Sequence, residues 1–143
     1  MAFHEMPNEA DHLPAPAPNG LPAPPPMGAA ALPAGTFDGS AVFVTGGGTG
    51  LGAAIAAEFA RLGADLVIAS RNPDHLAAAE DALGRLGGRV LTLRCDIRDA
   101  EAVSAAFETA TEAFGLPDVL INNAAANFPS PAEDLSPNAW RTV

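Results

Sequence analysis

The chain has 143 residues, 48% of them hydrophobic and 17% charged, enough for one modest core and not for two. Seven basic against seventeen acidic side chains leave a net charge of -10, which repels nucleic-acid backbones and anionic lipid surfaces, so neither is an expected partner. The single cysteine, Cys95, excludes an internal disulfide and a multi-cysteine zinc or iron–sulfur centre and fits a reducing compartment, while no apolar run is long enough to span a membrane.

Residues 1–36 hold most of the prolines, in runs such as Pro14-Ala-Pro-Ala-Pro18 and Pro22-Ala-Pro-Pro-Pro26, and read as a disordered or extended tail. The tail carries Glu5, Glu9 and Asp11 and no Lys or Arg, unlike a secretion signal or a mitochondrial transit peptide, which makes the cytoplasm the expected location. Residues 37–143 form the second expected unit. There, short apolar runs alternate with helical periodicity, the pattern of an α/β fold with a parallel sheet.

Four strands are expected, Ala41 to Thr45, Asp65 to Ser70, Arg89 to Cys95 and Val119 to Asn122, each apolar enough to be covered on both faces. A helix from about Gly50 to Leu62 follows the first strand and aligns Ile55, Phe59 and Leu62 on one stripe. A second, opening at Asn72-Pro73, aligns Leu76, Ala79, Leu83 and Leu86, and Gly63 and Gly87 act as stops. The third begins near Asp99, an N-cap, aligns Val103, Phe107, Ala110 and Phe114, and ends at Gly115. A fourth opens at Ser136-Pro137 and has run about two turns by Val143. The order is that of a Rossmann-like doubly wound sheet of which the first half, plus one strand, is written here.

Between the first strand and the first helix lies Thr45-Gly-Gly-Gly-Thr-Gly-Leu-Gly52. Backbone N–H groups and the helix dipole converge on such a loop, and glycine lets a pyrophosphate approach more closely than a Cβ permits. Gly48, Gly50 and Ala53 satisfy G-x-G-x-x-A in the strand-loop-helix setting that gives the motif meaning. The spacing Thr45-Gly46-x-x-x-Gly50-x-Gly52, with Asn122-Asn-Ala-Ala125 after the fourth strand, resembles the short-chain dehydrogenase/reductase family, in which these segments read T-G-x-x-x-G-x-G and N-N-A-G. Ala125 departs from the second pattern.

About twenty residues beyond the loop the second strand ends at Ser70-Arg71, where an NAD enzyme places an acidic side chain. A guanidinium grips a 2′-phosphate that a carboxylate would repel, so NADP(H) is the expected cofactor. Asp96, after the third strand, looks like the family residue that accepts a hydrogen bond from the adenine amine, or else simply forms a turn. The expected cofactor residues are Thr45, Gly46, Gly48, Thr49, Gly50, Leu51, Gly52, Ser70, Arg71, Asp96, Asn123 and Ala124.

TGGGTGLG with IASR, and NNAAANFPSPAEDLSPNAW from Asn122 to Trp140, look like 2,4-dienoyl-CoA reductases, a resemblance that runs from about Phe37 to Val143. It implies that Asn127 hydrogen-bonds a thioester carbonyl and that Arg71, Arg98, Phe128 and Ser136 line an acyl-CoA site. Ala126 stands where that subfamily has glycine. Arg98 could instead pair with Asp96 or Asp99, and Ser136 could cap the last helix. The wider family uses a Tyr and a Lys spaced Y-x-x-x-K, whereas this chain has neither, so the reading is of a fragment that turns nothing over alone. Full-length relatives are expected to be homotetramers. A generic 3-oxoacyl or alcohol reductase of the same family and a non-catalytic nucleotide-binding module are the alternatives. His4, His12 and His75 show no spacing suited to a metal, and none is expected.

Overall fold

A computed structural model of the chain describes residues 32–125 and 130–142. The first 31 residues of the expected Pro-rich tail, and with them Ala126, Asn127 and Phe128 of the expected substrate loop, lie outside the described residues. Four parallel strands, β1 (Ala41–Thr45), β2 (Asp65–Ser70), β3 (Val90–Arg94) and β4 (Val119–Asn122), pair in the order β3-β2-β1-β4. Parallel neighbours need crossovers, supplied here by α1 (Gly50–Arg61), α2 (Pro73–Gly84) and α3 (Ala100–Phe114). A 3-10 turn, Ala132–Asp134, and a short α4 (Pro137–Thr142) follow β4.

The central pair is apolar on both faces, so it must be covered twice. Val42, Val44, Leu66 and Ile68 point to one layer and meet Ala56 and Ala60 of α1 and Leu76, Ala79 and Leu83 of α2. Phe43, Val67 and Ala69 point the other way, against Ala106 and Ala110 of α3, with the Phe43 and Phe107 rings stacked 4.5 Å apart. Both layers follow from the period of two along each strand.

Two expectations are corrected by this packing. The innermost line of α1 is Gly52, Ala56 and Ala60, while Ile55 and Phe59 sit to either side, half-buried. Small residues let the helix axis approach the sheet, so close approach and not hydrophobicity selects the contact line. In α3, Ala106 and Ala110 are likewise the buried pair, flanked by Val103, Phe107 and Phe114. Second, only β1 and β2 are covered on both faces. β3 is partly exposed and one residue shorter at each end than expected, and β4 alternates, with Val119 and Ile121 packed inward and Leu120 46% exposed on the face of Phe43. In α2 the helix ends at Gly84, so Leu86 falls past its stripe.

The caps are those the sequence specifies. The Asn72 Oδ1 accepts from the Asp74 N–H at 2.9 Å and the Asp99 carboxylate accepts from Glu101 and Ala102. Ser136 Oγ accepts from Ala139 N–H at 3.1 Å at the start of α4. The edge strand β4 is fastened to β1 at both ends: the Asp118 carboxylate accepts from Ala41 N–H at 2.8 Å, and the Thr45 hydroxyl donates to the Ile121 carbonyl at 3.2 Å. Elsewhere Arg89 joins layers by pairing with Asp65 while lying 4.5 Å over the Phe114 ring.

Candidate functional site

At the C-terminal ends of β1, β2 and β4 the strands stop while the sheet's covering helices begin, which leaves a crevice. The cleft there has a volume of about 320 Å³ and is walled by the glycine loop, the end of β2 and the segment after β4. It gathers Gly46, Thr49, Leu51, Gly52, Ser70, Arg71, Asn123 and Ala124 of the expected cofactor residues. Thr45, Gly48, Gly50 and Asp96 do not line it.

The loop is built to receive something that a side chain would displace. Gly46 and Gly50 have φ of 67° and 55°, the left-handed region in which a Cβ is strained. Nothing lies within 4 Å of where a Gly50 Cβ would be, so that side of the loop is open. Thr49 caps α1 by backbone geometry alone, with no side-chain hydrogen bond, and no acid stands in the first turn. The N-terminal N–H groups of α1 therefore keep their donors and the positive end of their dipole toward the cleft. Such a cradle fits a pyrophosphate.

Two internal joints hold the loop in this shape. Asn123 Nδ2 donates to the carbonyls of Thr45 at 3.0 Å and Gly46 at 3.2 Å, so the asparagine expected at the cofactor also fixes the loop. The buried Thr45 hydroxyl accepts from the N–H groups of Asn123 and Ala124, each at 3.0 Å. With its proton given to Ile121, that hydroxyl has no capacity left for a ligand, and Thr45 serves the joint between β1 and β4. Gly48 serves packing: a Cβ there would stand 3.0 Å from the Cβ of His75, so the loop and the first turn of α2 touch.

On the far wall Arg71 is exposed and joins none of the ion pairs among the described residues. Arg98, expected at a substrate phosphate, is instead gripped by Asp96, whose oxygens accept from its Nε at 3.0 Å, its Nη2 at 2.6 Å and its backbone N–H at 3.1 Å. The side-chain hydrogen bonds from Arg98, then its backbone N–H, bring the Asp96 carboxyl down to about 2, with the charges of Arg98 and Arg71 adding to the effect. A carboxylate held low in the folded chain stabilises it above its ordinary value of 3.8, and that contribution disappears as pH falls toward 2. An Arg98→Gln variant is expected to return the Asp96 midpoint most of the way to its ordinary value, read by carbon-detected NMR titration of the side-chain carboxyl. An unmoved midpoint would show that the pair does not form in solution.

Sequence reasoning missed Ala69, Cys95, Ile97 and Ala125 in the lining. Burial pushes the Cys95 thiol up, with Asp96 and Asp99 adding to the effect, so it is a packing wall and not a nucleophile. Ile97 is 48% exposed and Leu51 71% exposed, two apolar side chains at the mouth of a polar cleft that a flat heterocycle could cover. An apolar residue flanked by Asp96 and Arg98 just after a strand was the available signal for the first. Among the described residues no group of His, Cys, Asp and Glu could hold a metal ion, and no helix is long and apolar enough to cross a membrane.

Residues 40–143 match the family model described as short chain dehydrogenase. The chain belongs to the short-chain dehydrogenase family. Curated members similar to it include a probable 2,4-dienoyl-CoA reductase of Caenorhabditis elegans, 46% identical over 111 residues, which are 76% of this chain and 36% of that protein. The peroxisomal 2,4-dienoyl-CoA reductase of Danio rerio is 46% identical over 102 residues, 71% of this chain and 34% of the relative. This chain thus spans little more than a third of the length of these curated relatives. Among solved structures, the citronellol catabolism dehydrogenase of Pseudomonas aeruginosa is 36% identical with a TM-score of 0.74, covering 80% of this chain and 46% of that one. L-sorbose reductase of Gluconobacter frateurii, solved with NADPH and L-sorbose, is 33% identical with a TM-score of 0.70, covering 74% and 41%. The four-stranded parallel sheet with flanking helices, which the alternating pattern of the sequence requires, thus matches part of the fold of these solved structures.

Proposed function

We propose that this chain is the cofactor-binding portion of an NADP(H)-dependent reductase of 2,4-dienoyl-CoA thioesters, working in the breakdown of unsaturated fatty acids. The observation that carries the cofactor is Arg71: a free guanidinium stands at the end of β2, on the wall of a cleft whose other wall is a phosphate cradle. A carboxylate at that position would suit unphosphorylated ribose, whereas a guanidinium suits a 2′-phosphate. Support for the substrate comes from the relatives, several of which are named 2,4-dienoyl-CoA reductases. Bound in the cleft, the nicotinamide would supply reducing equivalents as hydride.

The residues of this chain then bind, orient and polarise. First-turn N–H groups of α1 hold the pyrophosphate, and Ser70 and Arg71 the adenosine end. Asn127 donates to the thioester carbonyl, where negative charge gathers as the conjugated system is reduced, with Phe128 beside it. Ser136 keeps a proton to donate while its oxygen caps α4. Arg98 exchanges Asp96 for a phosphate of the CoA moiety, a swap of one exposed charge pair for another. With no Tyr and no Lys among its 143 residues, this chain has no counterpart of the family's Y-x-x-x-K pair, and we take these residues alone to bind cofactor without turnover. The lone, buried and unpaired Cys95 suits a reducing cytoplasm.

Calorimetry on the chain is expected to show NADPH binding about 100-fold more tightly than NADH, with Arg71→Ala erasing most of that ratio, as loss of a charge-assisted bidentate contact would. Equal affinities would overturn the cofactor reading. For the substrate, residues 37–143 are grafted in place of the matching segment of the Danio rerio relative and NADPH oxidation is followed with 2,4-hexadienoyl-CoA and with acetoacetyl-CoA. Oxidation with the dienoyl thioester is expected. Oxidation only with the 3-oxoacyl thioester would favour the generic reductase instead.

A further inference from the structure

The main cleft does not end at Arg71. Ser70 and Arg71 form a shared wall, and behind it lies a second, open notch of about 400 Å³ whose remaining lining is Asn72 and His75. Its position is specific: a group branching from a sugar held in the main cleft would enter it past Ser70 and Arg71. An unphosphorylated dinucleotide has nothing to place there.

The chemistry of the lining is one-sided. Arg71 offers a guanidinium and His75 an imidazole, both exposed to the notch. Ser70 Oγ accepts from Asn72 N–H at 3.5 Å, which leaves its own proton to donate, and Asn72, whose Oδ1 is taken by Asp74 N–H, keeps its amide donors. No carboxylate lines the notch, although the chain carries seventeen acidic residues and a net charge of -10. Asp74 belongs to the same helical turn and is not among the lining residues. His75 is also registered against the phosphate loop, because Gly48 is bare enough for its missing Cβ to fall 3.0 Å from the His75 Cβ and 3.2 Å from the His75 carbonyl oxygen. A side chain that lines the same notch as Arg71, on a turn packed beside the loop, is placed to meet a phosphate that enters it.

We infer that His75 is a second determinant of cofactor choice: its imidazole, with the Arg71 guanidinium and the Ser70 hydroxyl, holds the phosphate that distinguishes NADP(H) from NAD(H). This rests on the NADP(H) reading above and adds a residue to it. The notch is the subsite, and the first turn of α2 supplies one of its polar groups, the His75 imidazole.

The test measures binding of adenosine 2′,5′-bisphosphate and of adenosine 5′-monophosphate to the 143-residue chain by calorimetry. His75→Gln, which replaces the flat imidazole by an amide on a more flexible stem, is expected to weaken the bisphosphate about 5- to 10-fold and leave the monophosphate unchanged. His75→Arg is expected to restore or exceed the native affinity for the bisphosphate. Equal weakening of both ligands by His75→Gln would mean that the residue acts through packing on the loop, and no weakening of either would mean that it makes no contact; each overturns the inference. Arg71→Ala separates the two failures. A native chain that does not discriminate between the ligands sinks the NADP(H) reading itself, whereas discrimination lost with Arg71→Ala and untouched by His75→Gln sinks only the role of His75.

Discussion

A Gly52→Ala variant is expected to lose cofactor binding altogether, with affinity for NADPH down by at least about 100-fold and folding stability down by about 1 to 3 kcal/mol. The added Cβ would stand 2.3 Å from the Gly46 carbonyl oxygen and 2.4 Å from Asn123 Nδ2. Neither atom can retreat cheaply. The carbonyl belongs to the loop backbone, and the amide is committed to two loop carbonyls. Relief requires α1 to back away from the loop, which takes its first-turn N–H groups off the pyrophosphate. Gly84→Ala is the contrasting control: this glycine closes α2 with nothing within 4 Å of an added methyl, and alanine there should be neutral or stabilising by a few tenths of a kcal/mol. Calorimetry with NADPH and urea denaturation read both variants, and a Gly52→Ala chain that binds normally would show that loop and helix can separate without loss of the cradle.

Thr45→Val is expected to destabilise the chain by roughly 1 to 3 kcal/mol, although the two side chains have the same shape. The hydroxyl makes three hydrogen bonds, one donated to Ile121 and two accepted from Asn123 and Ala124. Valine leaves the Ala124 N–H, in a partly buried joint, without an acceptor and the Asn123 N–H with only the Ile121 carbonyl at 3.1 Å, and an unmade bond costs more than a made one gains. Thr45→Ser keeps all three bonds and loses only a methyl group, so it should lie within about 1 kcal/mol of the native chain. Urea midpoints at constant slope measure the difference. If valine and serine variants unfold together, the joint is held by something other than this oxygen.

Three of the four strands were legible from their apolar runs, while the ends of β3 fell one residue inside the expected ones. β1, β2 and β4 begin and end at the expected residues. Asn72 and Asp99 marked helix starts because their side chains can do little else just before an apolar periodic stretch. The buried face of α1 was not legible, since a hydrophobicity pattern rewards Ile55 and Phe59 and passes over Gly52, Ala56 and Ala60, which matter for being small. Nor was the half-bare state of β4, which depends on what packs over Leu120 and not on the strand's own residues. In the site, the sequence pattern placed the glycine loop and Arg71 at strand ends, where the structure has them lining one cleft. The joint made by the Thr45 hydroxyl was not legible, because partners across 78 residues are invisible to a motif, whereas the Asp96 pairing of Arg98, two residues away, was one of the two readings open for it.

The edge strand β4 is pinned just before its start by the Asp118 carboxylate, which reaches across to β1, and near its end by the Thr45 hydroxyl of β1, which donates to the Ile121 carbonyl. A strand secured at only one end can peel away gradually. With both ends fastened, fraying from either tip is opposed by a hydrogen bond, and β4 is expected to leave β1 as a unit. The glycine cradle, whose geometry passes through Asn123 immediately after that strand, is thereby coupled to the seating of β4 on β1.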